Sequence, residues 1–146
     1  MAQSAAPEES ARKLPRILHV EDDPDDALLV LAALRKGGLL CYVRNYEDGH
    51  EPMKYLGGAS QYADRAKYPL PDLVLLDLKL PTLSGFEVLA WARAQEHLKH
   101  LPIVVLGSSP LAEDISRARE LGATAHLPKT PEFREVVEYV SGFLSA

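Results

Sequence analysis

Asp72-Leu73-Val74-Leu75-Leu76-Asp77 is an unbroken apolar run with an acid at each end. It lacks the period-two alternation of a strand with one wet face, so it predicts a strand buried on both sides. Pro102-Ile103-Val104-Val105-Leu106 has the same character. Strands of this kind belong to parallel sheets covered by helices on both faces, and the flanking sequence supplies those helices. Upstream, Arg16 to Val20 reads as a first strand. A helix follows, with Asp23 as its cap and Pro24 at its first position; it is apolar almost all round from Ala27 to Leu34, as a well-buried helix is, and Gly37-Gly38 stops it. Cys41 to Tyr46 is a second strand. Asp48 is placed to cap a helix near Glu51 to Leu56, before a polar stretch from Gly57 to Pro71.

Downstream the alternation continues. Ser84 and Glu87 form a capping box for a helix to about His97. A helix from about Leu111 to Leu121 ends at Gly122, and Ala123 to Leu127 is the last strand. Phe133, Val136, Val137, Val140 and Leu144 mark one apolar stripe on the final helix. Five strands alternating with about five helices predict one α/β domain, a doubly wound five-stranded parallel sheet with right-handed crossovers and helices on both faces.

Composition narrows the function. The 146 residues suit one domain: an expected flexible tail over 1–14, then a folded unit over 15–146. A net charge of −5, with no basic run longer than Arg12-Lys13, disfavours nucleic acid as a partner. No apolar run approaches the roughly 20 residues a membrane-spanning helix needs, and no export signal is visible. The one cysteine, Cys41, fits a reducing compartment, so a cytoplasmic location and no membrane partner are expected.

Parallel strands gather their C-terminal ends on one edge, where ligands bind. Here those ends are Val20-Glu21-Asp22, Leu76-Asp77, Leu106-Gly107-Ser108-Ser109 and Leu127-Pro128-Lys129. Asp77, held at the rim, suits a nucleophile toward phosphorus, although a carboxylate after a strand also caps turns. Glu21 and Asp22 beside it would repel it unless a cation intervened, and Mg²⁺ takes a few carboxylate oxygens plus water and phosphate. The acidic run to Asp26 also suits a helix start, so Asp23, Asp25 and Asp26 are expected mainly to serve the helix. Lys129 can set a point charge on a phosphoryl oxygen, or simply be solvated.

Ile17-Leu18-His19-Val20-Glu21-Asp22, then Leu75-Leu76-Asp77-Leu78-Lys79-Leu80-Pro81 with Gly85, then Lys129, resemble in order and spacing the receiver domain of two-component response regulators. The likeness runs over about residues 15 to 144 and implies the flavodoxin-like strand order 2-1-3-4-5. The segment from Tyr55 through Tyr62 to Pro69 further resembles the small single-domain receivers that serve phytochromes. The resemblance implies that Asp77 is the phospho-acceptor, with Mg²⁺ held by Glu21, Asp22, Asp77 and the backbone carbonyl of Lys79. Lys129 would hold a phosphoryl oxygen, and a sensor histidine kinase of the phytochrome type would be the donor. Such a domain promotes its own phosphorylation without being a conventional turnover enzyme.

Three positions depart from that family. Gly107 stands where Thr or Ser usually follows the phosphoryl group, leaving Ser108 or Ser109 as the nearest hydroxyl. His126 fills an aromatic switch position, and Thr130 replaces the usual proline after the lysine. Phosphorylation chemistry is therefore expected with altered switching. With no second domain expected after the last helix, output falls to protein contacts, including a homodimer through the C-terminal helices involving Phe133, Tyr139 and Phe143, although the apolar stripe must first cover the sheet. The competing reading is a non-phosphorylated interaction module, which Gly107 favours. A haloacid-dehalogenase-type phosphatase would need an acid where Lys79 stands, and no Gly-rich loop follows the first strand for a nucleotide enzyme.

Overall fold

The computed structural model describes residues 14–107 and 112–145. Ser108, Ser109 and Leu111 lie outside them, as does the expected tail apart from Leu14. The chain alternates strand and helix: β1 (Arg16–Val20), α1 (Pro24–Lys36), β2 (Tyr42–Tyr46), α2 (His50–Gly57), β3 (Leu73–Asp77), α3 (Gly85–Ala94), β4 (Ile103–Gly107), α4 (Ala112–Glu120), β5 (Ala125–Pro128) and α5 (Arg134–Ser145). All strand pairs are parallel, in the order β2-β1-β3-β4-β5, the flavodoxin-like order expected.

Why β3 and β4 carry no alternation is visible in their burial: all five residues of each are buried. On one face Leu18, Val74, Leu76, Ile103 and Val105 pack with Tyr55, Leu56, Val88 and Leu89 of α2 and α3. On the other, Ile17, Leu73, Leu75, Val104 and Leu106 pack with Val30 and Leu34 of α1 and with Phe133, Val136 and Val140 around α5. Each such side chain contributes about 1.5–3 kcal/mol by leaving water. Phe133 is thus committed to the core, while Tyr139 and Phe143 are half-buried against it.

Several expectations need correction. α1 is not buried all round: only Val30 and Leu34 are enclosed, while Leu28 and Leu29 are 65% and 49% exposed. A helix laid on a sheet can bury one stripe, whatever its composition. α3 stops at Ala94, because Gln95 turns extended and Glu96–Leu98 form a 3₁₀ turn that buries Leu98. The polar stretch after α2 contains a further 3₁₀ turn, Ser60–Ala63, which buries Tyr62. Asp48 does accept from the N–H groups of His50 and Glu51, at 2.9 and 3.3 Å, so α2 begins at His50, earlier than expected. Asp23 caps α1 and the Ser84–Glu87 box closes α3 as expected.

Candidate functional site

The register brings the polar strand ends together. Val20 pairs with Tyr46 and Leu76, Asp77 with Leu106, and Gly107 with Pro128, so Glu21, Asp77, Gly107 and Lys129 arrive at one edge. Glu21 is fixed from both sides. Its N–H donates to the Tyr46 carbonyl at 2.9 Å, its carbonyl accepts from Asn45, and its Oε2 accepts from the Asp23 N–H at 3.2 Å.

Asp77 is 4% exposed, and both its oxygens are engaged: Oδ1 accepts from the Lys79 N–H and Oδ2 from Lys129 Nζ, each at 3.0 Å. The next turn explains how α3 closes on it. Gly85 lies so near that a Cβ there would meet the Asp77 carbonyl oxygen at 2.2 Å, a clash with backbone that cannot swing away. Only glycine lets α3 begin at this distance from Asp77.

Lys129 sits among the acids, with Nζ 2.7 Å from Glu21 Oε1, 3.0 Å from Asp77 Oδ2 and 3.3 Å from Asp26 Oδ2. The Glu21 approach is a close charge contact rather than an aligned hydrogen bond, since Oε1 has no hydrogen-bond partner among the described residues. Burial pulls the Lys129 ammonium down, but Glu21 and Asp77 outweigh it and hold its pKa above the ordinary lysine range. Burial pushes the Glu21 carboxyl up, Asp77 adding to the rise and Lys129 opposing it. Three carboxylates, Glu21, Asp26 and Asp77, therefore share one ammonium, and Asp22 adds a fourth close by.

That excess of negative charge is what a divalent ion would relieve. Oxygens of Glu21, Asp22 and Asp77 lie within 4.8 Å of one another, and Asp22 is exposed, leaving room for water as Mg²⁺ prefers. The donor set fits a hard divalent cation. Lys79 reaches the cluster through its N–H; its side chain is exposed.

Of the residues expected at a switch, Ser108 lies outside the described residues. Gly107 and His126 are in contact: a Cβ on Gly107 would meet His126 Nε2 at 2.9 Å. The imidazole thus stands where a side chain at 107 would project. Burial lowers its pKa, and Nε2 has no partner among the described residues. The Lys129–Thr130 bond is trans.

Two residues escaped the sequence reading. Asp26 is expected mainly to serve the helix, yet its carboxylate also pairs with Lys129. His19, next to last in β1 and 1% exposed, has neither ring nitrogen partnered among the described residues. Burial, then Lys129, lower its pKa to about 4, so it is a neutral imidazole at neutral pH.

Comparisons with known proteins give the family and the fold. The family model of the response regulator receiver domain matches residues 17–141. The response regulator Rcp1 of Synechocystis is 33% identical over 129 residues, covering 88% of this chain and 86% of its own. The crystal structure of its Mn²⁺-bound form superposes with a TM-score of 0.75 at 33% identity, over 90% of this chain and 92% of that one. The phosphorylated cyanobacterial phytochrome response regulator RcpA is 34% identical with a TM-score of 0.77, covering 89% of this chain and 91% of its own. The bacteriophytochrome response regulator AtBRR is 41% identical with a TM-score of 0.73, covering 88% and 91%.

Proposed function

The chain belongs to the response regulator receiver family, and we propose that Asp77 accepts a phosphoryl group from the phosphohistidine of a phytochrome-type sensor kinase in the cytoplasm. The observation that carries this reading is Lys129 Nζ held 3.0 Å from Asp77 Oδ2 at the end of a fully buried strand. An Asp77 oxygen attacks phosphorus in line, and a P–O bond forms as the P–N bond to the donor imidazole breaks, the electron pair leaving with nitrogen. Lys129 neutralises charge on the transferred group, and the Lys79 N–H keeps the Asp77 carboxylate oriented. Glu21, Asp22, Asp77 and the Lys79 carbonyl would hold Mg²⁺, which would supply further neutralisation of the phosphoryl oxygens. The domain acts on itself, so it is a signalling module rather than a turnover enzyme.

Output runs through protein contacts, including a homodimer through the C-terminal helices, where Tyr139 and Phe143 remain half-buried. Nucleic acid is not a partner in this reading. The test is Mg²⁺-dependent labelling with acetyl phosphate: wild type takes up one phosphoryl group and Asp77→Asn none. Labelling that persists in Asp77→Asn sinks the assignment. A second reading, a receiver-like interaction module that is not phosphorylated, is favoured by one observation: the His126 ring occupies the space beside Gly107 that a switch side chain would use. Absence of labelling in the wild type, with Mg²⁺ present, selects it.

A further inference from the structure

Helix α1 turns an apolar strip to water. Val30 and Leu34 are buried against the sheet, while Asp25, Leu28, Leu29, Ala32 and Lys36 are all exposed. At about 100° per residue these five fall on one stripe, on the side of the helix opposite Val30 and Leu34. Leu28 and Leu29 are 65% and 49% exposed. A single exposed leucine needs no explanation. Two adjacent ones with Ala32 beside them, on the face where a surface helix ordinarily carries polar residues, make a continuous apolar strip.

The order of residues along the stripe identifies what covers it. Asp25 opens it in the acidic first turn, leucine and alanine fill the middle, and Lys36 closes it in a last turn that also holds Arg35. Turned end for end about the point between Val30 and Leu31, the helix meets its own complement. Asp25 comes opposite Lys36, Leu28 opposite Ala33 and Leu29 opposite Ala32. Unlike charges meet at both ends, and each large apolar side chain meets a small one, which lets two helices approach closely. Ala33 also lies in the wall of a hollow of about 300 Å³ between α1 and α5, together with Lys36, Gly37 and Val137. A leucine seated over Ala33 has room there. Antiparallel pairing further sets the two helix dipoles in opposition.

We propose that two copies of this chain pair through α1, helix against antiparallel helix about a two-fold axis. Leu28 and Leu29 of each copy sit over Ala33 and Ala32 of the other, and Asp25 faces Lys36 at both ends. Such an interface is self-complementary, as a two-fold requires. The strip is smaller than the roughly 800 Å² per partner of a stable interface, so the pairing is weak, with a dissociation constant on the order of 10–100 µM. It involves α1 rather than Tyr139 and Phe143 of α5, and it requires no phosphoryl group on Asp77.

The test is sedimentation equilibrium of the full chain in EDTA, without phosphodonor, from about 5 to about 500 µM. A monomer–dimer equilibrium is expected, and Leu29→Glu should weaken it at least about tenfold. The charged ends give the decisive readout. Asp25→Lys and Lys36→Asp should each weaken pairing by about fivefold at low salt, because the two-fold repeats every like-charge contact. Mixing these two variants in equal amounts should restore it, since each then meets its opposite in the other. All three positions are exposed, so the substitutions leave the core intact. A chain still monomeric at about 500 µM would leave the strip to a helix of a different protein and overturn the proposal. So would Leu29→Glu pairing like wild type, pairing lost in Tyr139→Ser alone, or a mixture that pairs no more tightly than its components.

Discussion

Asp77 and Gly107 end neighbouring strands that are alike in length and burial but not in their last residue. β3 and β4 are each five residues long and buried on both faces, and the last residue of β3 pairs with Leu106. One strand delivers a carboxylate gripped by Lys129 and the Lys79 N–H; the other delivers a residue with no side chain, beside a neutral imidazole. The difference separates two roles that one crevice usually combines. Holding a phosphoryl group needs charge on a rigid rim, which β3 has. Moving in response needs a side chain that can follow the new charge, which β4 lacks.

The sharpest way to break this contrast is to disarm the β3 side. Lys129→Met should lower the rate of Asp77 labelling by about 10²–10³-fold, the usual consequence of removing one charge-stabilising donor. It should also leave Glu21 and Asp77 buried without their ammonium, at a cost of about 3–5 kcal/mol in metal-free buffer, much of it restored by Mg²⁺. Urea unfolding with and without Mg²⁺ measures this. A variant as stable as wild type in EDTA would show that the acids do not depend on Lys129.

Gly85→Ala attacks the same side through backbone. With its Cβ against the Asp77 carbonyl, it should lose on the order of 3 kcal/mol by forcing α3 away. Denaturation midpoints check this. A neutral result would mean that α3 can start elsewhere.

The next probe lies in β1, where His19 pairs with Leu75 of β3. His19 has a folded-state pKa of about 4, below its unfolded value near 6.5. The unfolded chain therefore binds the proton first, so stability is full above about pH 6.5 and declines as pH falls toward about 4. Between about pH 7 and about pH 5 the loss from this group should be about 2 kcal/mol. His19→Leu should remove that portion of the pH dependence. Identical pH profiles for the two proteins would mean that the imidazole is not held neutral.

The smallest effect is expected on the β4 side. Gly107→Thr meets only the tip of His126, a ring that can rotate away, so stability should change by no more than about 1 kcal/mol. Amide shifts on phosphorylation should nonetheless be larger in the variant. A full-sized response in wild type, with none gained by threonine, would put the switch elsewhere.

What was legible in the sequence follows from what periodicity and strand ends report. The unbroken runs of β3 and β4 carried the sheet, because burial on both faces leaves no room for alternation. Glu21, Asp77 and Lys129 were legible because topology alone brings strand ends together. Asp26 was not: its approach to Lys129 depends on how α1 lies across the sheet, which composition does not encode. The exposure of Leu28 and Leu29 has the same origin. The hollow lined by Arg16, Tyr42, Arg44, Tyr55, Lys67 and Tyr68 was silent because its lining is drawn from four separate segments that share no motif.

The two glycines of the crevice also differ in what heredity can do with them. At position 85 the obstacle is met by Cβ itself, the atom every other residue type carries, and it is backbone. At position 107 the obstacle is the far end of a side chain. A saturation library selected only for folding should return glycine at 85 and a spread of small residues at 107. The first position is closed to drift, while the second is one substitution from acquiring a hydroxyl.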